Sequence, residues 1–137
     1  MTSEGVLLAS VVPVFTSKRD ESFKSPISAG FSPHCIHLLG GHPSSSASLS
    51  LCTSTGTMVL GSPLMDPSLP SSLFNIVTGE TATFSIGAPG EGCEAGWGKV
   101  AAATLTAFAE RAGLSAGEFA FSAVVGASDG PALSSCA

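Results

Sequence analysis

Several groups of residues carry types and spacings that chemistry can use. Gly126-Ala-Ser128-Asp-Gly130 fits G-x-S-x-G, a pattern in which small neighbours let a nucleophilic serine sit on a tight strand-to-helix turn. A triad of that kind places an acid and then a histidine after the serine. Only seven residues follow Gly130, and His34, His37 and His42 lie far upstream, so a plain turn is the simpler reading. Residues 87–98 form a Gly-rich stretch that ends in Gly98-Lys99, as a phosphate-cradling loop does. The full loop motif needs Gly at position 93 and Ser or Thr at position 100. Here those positions are Cys93 and Val100, and Glu91 and Glu94 would repel an anion. Gly90, Gly92 and Gly96 give only a loose dinucleotide pattern. His34-Cys35-Ile-His37, with His42 and Cys52 nearby, offers donors suited to Zn²⁺ or Cu⁺. Their spacing matches no closed zinc module.

Residues 105–124 resemble a helix-turn-helix motif. Ala109, Gly113 and Phe119 reproduce its small–Gly–hydrophobic spacing, and Phe108, Ala112 and Leu114 fit its apolar positions. The resemblance implies a second, recognition helix. That segment carries no Lys, Arg, Asn or Gln, Ser122 replaces a hydrophobic residue, and Glu118 would face phosphate. Base-edge readout needs the missing donors.

Composition narrows the function classes further. The 137 residues include 5 Lys plus Arg and 10 Asp plus Glu, for a net charge of -5 and a pI near 4.9. Charged residues make up 11% of the chain, against ~25% for a soluble domain. No nucleic acid is expected as a partner, because phosphate neutralisation needs a Lys/Arg-rich face. A coiled coil and a polybasic membrane-surface binder are also disfavoured. Residues with adenine at the second codon position (Lys, Asn, Asp, Glu, Gln, His, Tyr) total 17 of 137. The chain therefore reads like the translation of a pyrimidine-rich strand, and its mean hydropathy of +0.44 needs no selection for a core.

Gly5–Phe15 is apolar like the centre of a signal peptide, but Met1-Thr-Ser-Glu4 is acidic where a signal is positive. Eleven residues are too few to span a bilayer, which takes ~20, so no transmembrane span is expected. A buried or edge strand is the simpler reading of this run. Cys35, Cys52, Cys93 and Cys136 contain no CxxC pair. Reduced thiols in an intracellular chain are the expectation, and a secreted, disulfide-linked chain is the alternative.

These residues need elements to position them. Residues 25–65 hold no Lys, Arg, Asp or Glu and ten Ser, with Pro26, Pro33, Pro43 and Pro63 as punctuation. Residues 1–72 are accordingly expected to be low-complexity, Ser/Pro-rich and largely irregular or disordered. Residues 73–137 read as a small, marginal α+β unit. Leu73–Val77 and Thr81–Ile86 form a hairpin across Thr78-Gly79-Glu80. The Gly-rich loop follows. A helix over Lys99–Ala112 turns Ala101, Leu105, Phe108, Ala109 and Ala112 to one face, with Gly113 as its cap. Residues 115–125 are ambiguous. Ser115-Ala-Gly-Glu118 is a capping box that starts a helix, yet Phe119, Phe121, Ala123 and Val125 alternate as in a strand.

The sequence therefore assigns no biochemical activity. The chain is expected not to be an enzyme and to hold no catalytic residue, cofactor or metal. One alternative is a protein-interaction module using the uncharged Ser/Pro tract or residues 5–15, with a weak protein partner. The other is a small nucleotide-binding or hydrolytic domain on residues 81–130.

Overall fold

The computed structural model describes residues 3–20, 23, 26–39, 49–87, 96–115 and 117–128. Along the chain lie α1 (Ser3–Lys18), β1 (Ser28–Leu39), β2 (Leu49–Pro63), β3 (Ser71–Asn75), β4 (Thr81–Phe84), α2 (Gly96–Arg111) and β5 (Phe121–Ala127). The strands form one mixed sheet in the order β1-β2-β5-β3-β4. β5 runs antiparallel to β2, with Leu60 opposite Val124, and parallel to β3, with Phe74 opposite Val124. The other neighbours, β1–β2 and β3–β4, are antiparallel.

One helix covers each face of this sheet. Leu7, Val11 and Phe15 recur every four residues, which puts them on one side of α1. They are buried with Met58, Leu60 and Val124. Burying three such side chains stabilises the fold by roughly 1.5–3 kcal/mol each. The helix packs close because Gly126 lies beneath it: a Cβ there would stand 2.8 Å from both Val11 and Ile76. Glu4 in the first turn and Lys18 in the last complement the helix dipole, and the Lys18 ammonium lies 3.9 Å from the Phe74 ring centroid. Pro13, inside the helix, is exposed, so its ring meets solvent.

On the opposite face, α2 presents Gly98, Ala102, Thr106 and Ala109 to the sheet. These small groups pack on Leu73, Ala82, Phe84, Phe121 and Ala123. The β3–β4 turn is closed by Asn75, whose side-chain oxygen accepts from the Val77 and Thr78 N–H groups. α2 ends as expected at Gly113, with φ of 74°, and the Leu114 N–H donates to the Ala109 carbonyl.

Three expectations are corrected. The N-terminal half is not mostly irregular or disordered: α1, β1 and β2 are 16, 12 and 15 residues long. The protein is an α+β fold with a five-stranded mixed sheet. Ser and Pro obscured the strands, but they sit where a sheet accepts them. Pro33 is on the edge strand and Pro63 ends β2, while Ser62, Ser122 and Ser72 form one row across β2, β5 and β3. Residues 5–15 form a helix, not a strand. Residues 121–127 are strand β5, so no recognition helix follows α2. The Ser115–Glu118 box forms locally, with the Ser115 N–H donating to the Glu118 carboxylate at 2.7 Å, but it caps a turn. Both faces of β5 are covered, which favours an extended, apolar segment there.

Asp66 shapes the β2–β3 connection by accepting from the Ser68 hydroxyl at 2.6 Å and the Ser68 N–H at 2.9 Å. These bonds stabilise the carboxylate and hold Asp66 below its ordinary value of 3.8. Its contribution is complete above the ordinary aspartate range and fades as pH falls through the lower folded value. An NMR titration should find Asp66 more acidic folded than in urea, with Ser68→Ala removing most of the difference. A second expectation concerns the close approach of α1. Gly126→Ala should lower the urea-unfolding free energy by about 1–3 kcal/mol through overpacking. Gly96→Ala, where a Cβ meets nothing within 4 Å, should stay within about 0.5 kcal/mol of the parent.

Candidate functional site

The geometry of the sheet leaves one face partly bare. Five strands span roughly 19 Å at about 4.8 Å spacing, and one helix is about 10 Å wide. α2 lies over β3, β4 and β5, and among the described residues no helix lies above the β1–β2 side of that face. The result is a groove of ≈ 780 Å³ between the C-terminal half of α2 and the β1–β2 strands.

Its floor is shaped by missing side chains. Gly30 stands opposite Val59, and Ser28 opposite Gly61. Directly paired residues share a face, so this patch offers one large side chain, Val59, between two glycines. A Cβ on Gly30 would meet nothing within 4 Å. The walls come from Leu105 and Phe108 on α2, Leu114 and Phe119 on the connection to β5, and Ile86 after β4. Among the described residues, no charged side chain lines the groove. Phe108 is 68% exposed at the rim, although its place on the apolar stripe of α2 marks it for the core. The stripe is legible in sequence, but its role differs. Ala102 and Thr106 meet the sheet, whereas Leu105 and Phe108 face the groove.

The earlier candidates fall elsewhere. Ser128 is engaged by the backbone of Gly56: the Gly56 N–H donates to its Oγ at 2.8 Å, and its hydroxyl donates to the Gly56 carbonyl at 3.2 Å. The Ser128 N–H donates to the same carbonyl at 3.1 Å. With Gly126 under α1, two members of the G-x-S-x-G pattern thus have packing and tethering roles, and Gly130 lies outside the described residues. Lys99 is exposed on α2, whereas Gly90, Glu91, Gly92, Cys93 and Glu94 lie outside the described residues. α2 begins at Gly96, so Trp97 belongs to its first turn and not to the loop. The Trp97 indole N–H donates to the Glu80 carboxylate at 2.9 Å, pinning the helix start to the β3–β4 turn.

His34 Nδ1 lies 3.4 Å from the Thr55 hydroxyl. Cys35 and Cys52 are register partners across β1–β2. His42, Cys136 and the His37 side chain lie outside the described residues. Among the described residues, no group of three or more His, Cys, Asp or Glu is gathered to hold a metal ion, and no helix is long and apolar enough to cross a membrane. No protein-family model, curated protein or solved structure matches the chain.

The tether at Ser128 has a measurable consequence. Ser128→Ala should destabilise the fold by about 1 kcal/mol in urea titrations, the usual net value for lost hydrogen bonds. A catalytic serine would behave oppositely: stability would hold, and hydrolysis of an activated ester would vanish.

Proposed function

We propose that this protein is a non-catalytic binding module that takes a small, uncharged apolar molecule, such as a single aliphatic chain or a fused-ring compound, in the groove between α2 and β1–β2. The observation that carries the reading is the groove's combination of size and lining. A volume of ≈ 780 Å³ lies within the ~300–1,000 Å³ of small-molecule sites. Apolar side chains dominate its walls, and among the described residues no charged side chain lines it to pair with a ligand charge. A charged ligand would lose water there without compensation. The uncharged tract of residues 25–65 supports the same reading, since β1 and β2 supply the floor. Residues 5–15 are less suited to docking, because Leu7, Val11 and Phe15 are buried under the sheet. The hydrolytic alternative has less support, since Ser128 is tethered to Gly56.

A neutral solvatochromic dye such as Nile red tests the reading. The full chain should give a saturable, one-to-one blue-shifted emission. Gly30→Phe should weaken dye affinity by about tenfold or more by filling the floor. Its urea midpoint should not fall, because the added ring enters open space and strand propensity improves. Non-saturable emission, or equal affinity for both proteins, would refute the proposal.

A further inference from the structure

The β1–β2 hairpin reaches beyond the body of the sheet. The pairing of β2 with β5 begins at Thr57 opposite Ala127, whereas β1–β2 pairing continues to Leu39 opposite Leu49. Among the described residues, 49–52 therefore pair with β1 alone, and residues 53–55 lie in a register shift opposite His34. Cys35 and Cys52 face each other across this two-stranded arm. Their sulfurs are 3.5 Å apart, not covalently joined, and both residues are exposed.

We propose that Cys35 and Cys52 form a reversible cross-strand dithiol–disulfide couple that responds to small-molecule disulfides such as glutathione disulfide. Three observations carry this. The ladder places the two residues directly opposite, and the antiparallel ladder fixes their backbones within the range that a disulfide bridges. The sulfurs must close only from 3.5 Å to about 2.0 Å. Exposure lets a small disulfide reach either sulfur, and the exposed partner stands ready to resolve the mixed disulfide.

The exchange balances without another co-reactant. One cysteine thiolate attacks glutathione disulfide, forms a mixed disulfide and expels one glutathione thiolate. The second cysteine thiolate attacks the protein-bound sulfur and expels the other glutathione. The two protein thiols are oxidised to one disulfide, one glutathione disulfide is reduced to two thiols, and the two cysteine protons end on them. The new bond clamps the arm beyond the described β2–β5 pairing, so oxidation should slow local opening of residues 49–52.

The full wild-type chain can be equilibrated in glutathione redox buffers, acid-quenched, alkylated and mapped by peptic mass spectrometry. Cys35 and Cys52 should lose their alkyl labels together, leaving a peptide or linked pair about 2 Da lighter than the unlabelled dithiol form, the mass of the two hydrogens removed. The folded chain should reach half-oxidation at a disulfide-to-thiol ratio about tenfold or more below that of the chain in urea, because the ladder holds the thiols together. Cys35→Ser should leave Cys52 able to form only the mixed disulfide with glutathione. Failure of the Cys35–Cys52 bond to form in the folded chain would overturn the proposal. So would an equal half-oxidation ratio in urea, or preferential pairing of either residue with Cys93 or Cys136.

Discussion

The architecture depends on the insertion of β5 between β2 and β3. This strand is the last element among the described residues and is central in the sheet. It joins the uncharged N-terminal hairpin to the β3–β4 hairpin through two ladders of opposite sense. Its alternate side chains also join the two cores: Phe121 and Ala123 belong to the α2 side, and Val124 to the α1 side. Without β5 each hairpin would be a two-stranded ribbon with one helix, a marginal unit in water. Because β2–β5 and β3–β5 pairings are non-local, the chain must close long loops before they form. Such topologies fold more slowly than local ones.

The same arrangement produces the candidate site. A helix of small residues lies close to β3, β4 and β5, but it cannot also cover β1 and β2. Phe108 then projects beside it, and Leu105 lines the groove from the margin of the core. Gly30 and Gly61 keep the opposite floor low. The groove is thus a consequence of one helix covering a sheet wider than itself, with glycine where strands usually carry bulk. The redox-sensitive arm is a separate consequence of β1 and β2 being longer than the strands beside them.

Some of this was legible in sequence, for physical reasons. The β3–β4 hairpin showed a strict alternation and a Gly-containing turn. α2 showed a helical period and a C-terminal glycine. β5 showed alternation, although Ser115–Glu118 offered a competing local signal. α1 was hidden because Val6, Leu8 and Val12 are exposed yet apolar, which blurred the Leu7–Val11–Phe15 stripe, and Pro13 argued against a helix. β1 and β2 were hidden by Ser and Pro, whose tolerance depends on which strand is at the edge. The groove was illegible because its floor is made by absent side chains. The Cys35–Cys52 pairing needs the hairpin register, which no local spacing reveals.

The central claim is that the uncharged N-terminal tract is ordered by pairing with β5. Amide hydrogen exchange with residue-level resolution tests it most directly. The account predicts that amides within 57–63 and 121–127 are the slowest in the protein and exchange together, as one cooperative unit does. Amides of residues 49–52, paired on one side only among the described residues, should exchange faster. Exchange of residues 57–63 at unstructured rates while β3 and β4 stay protected would contradict the account.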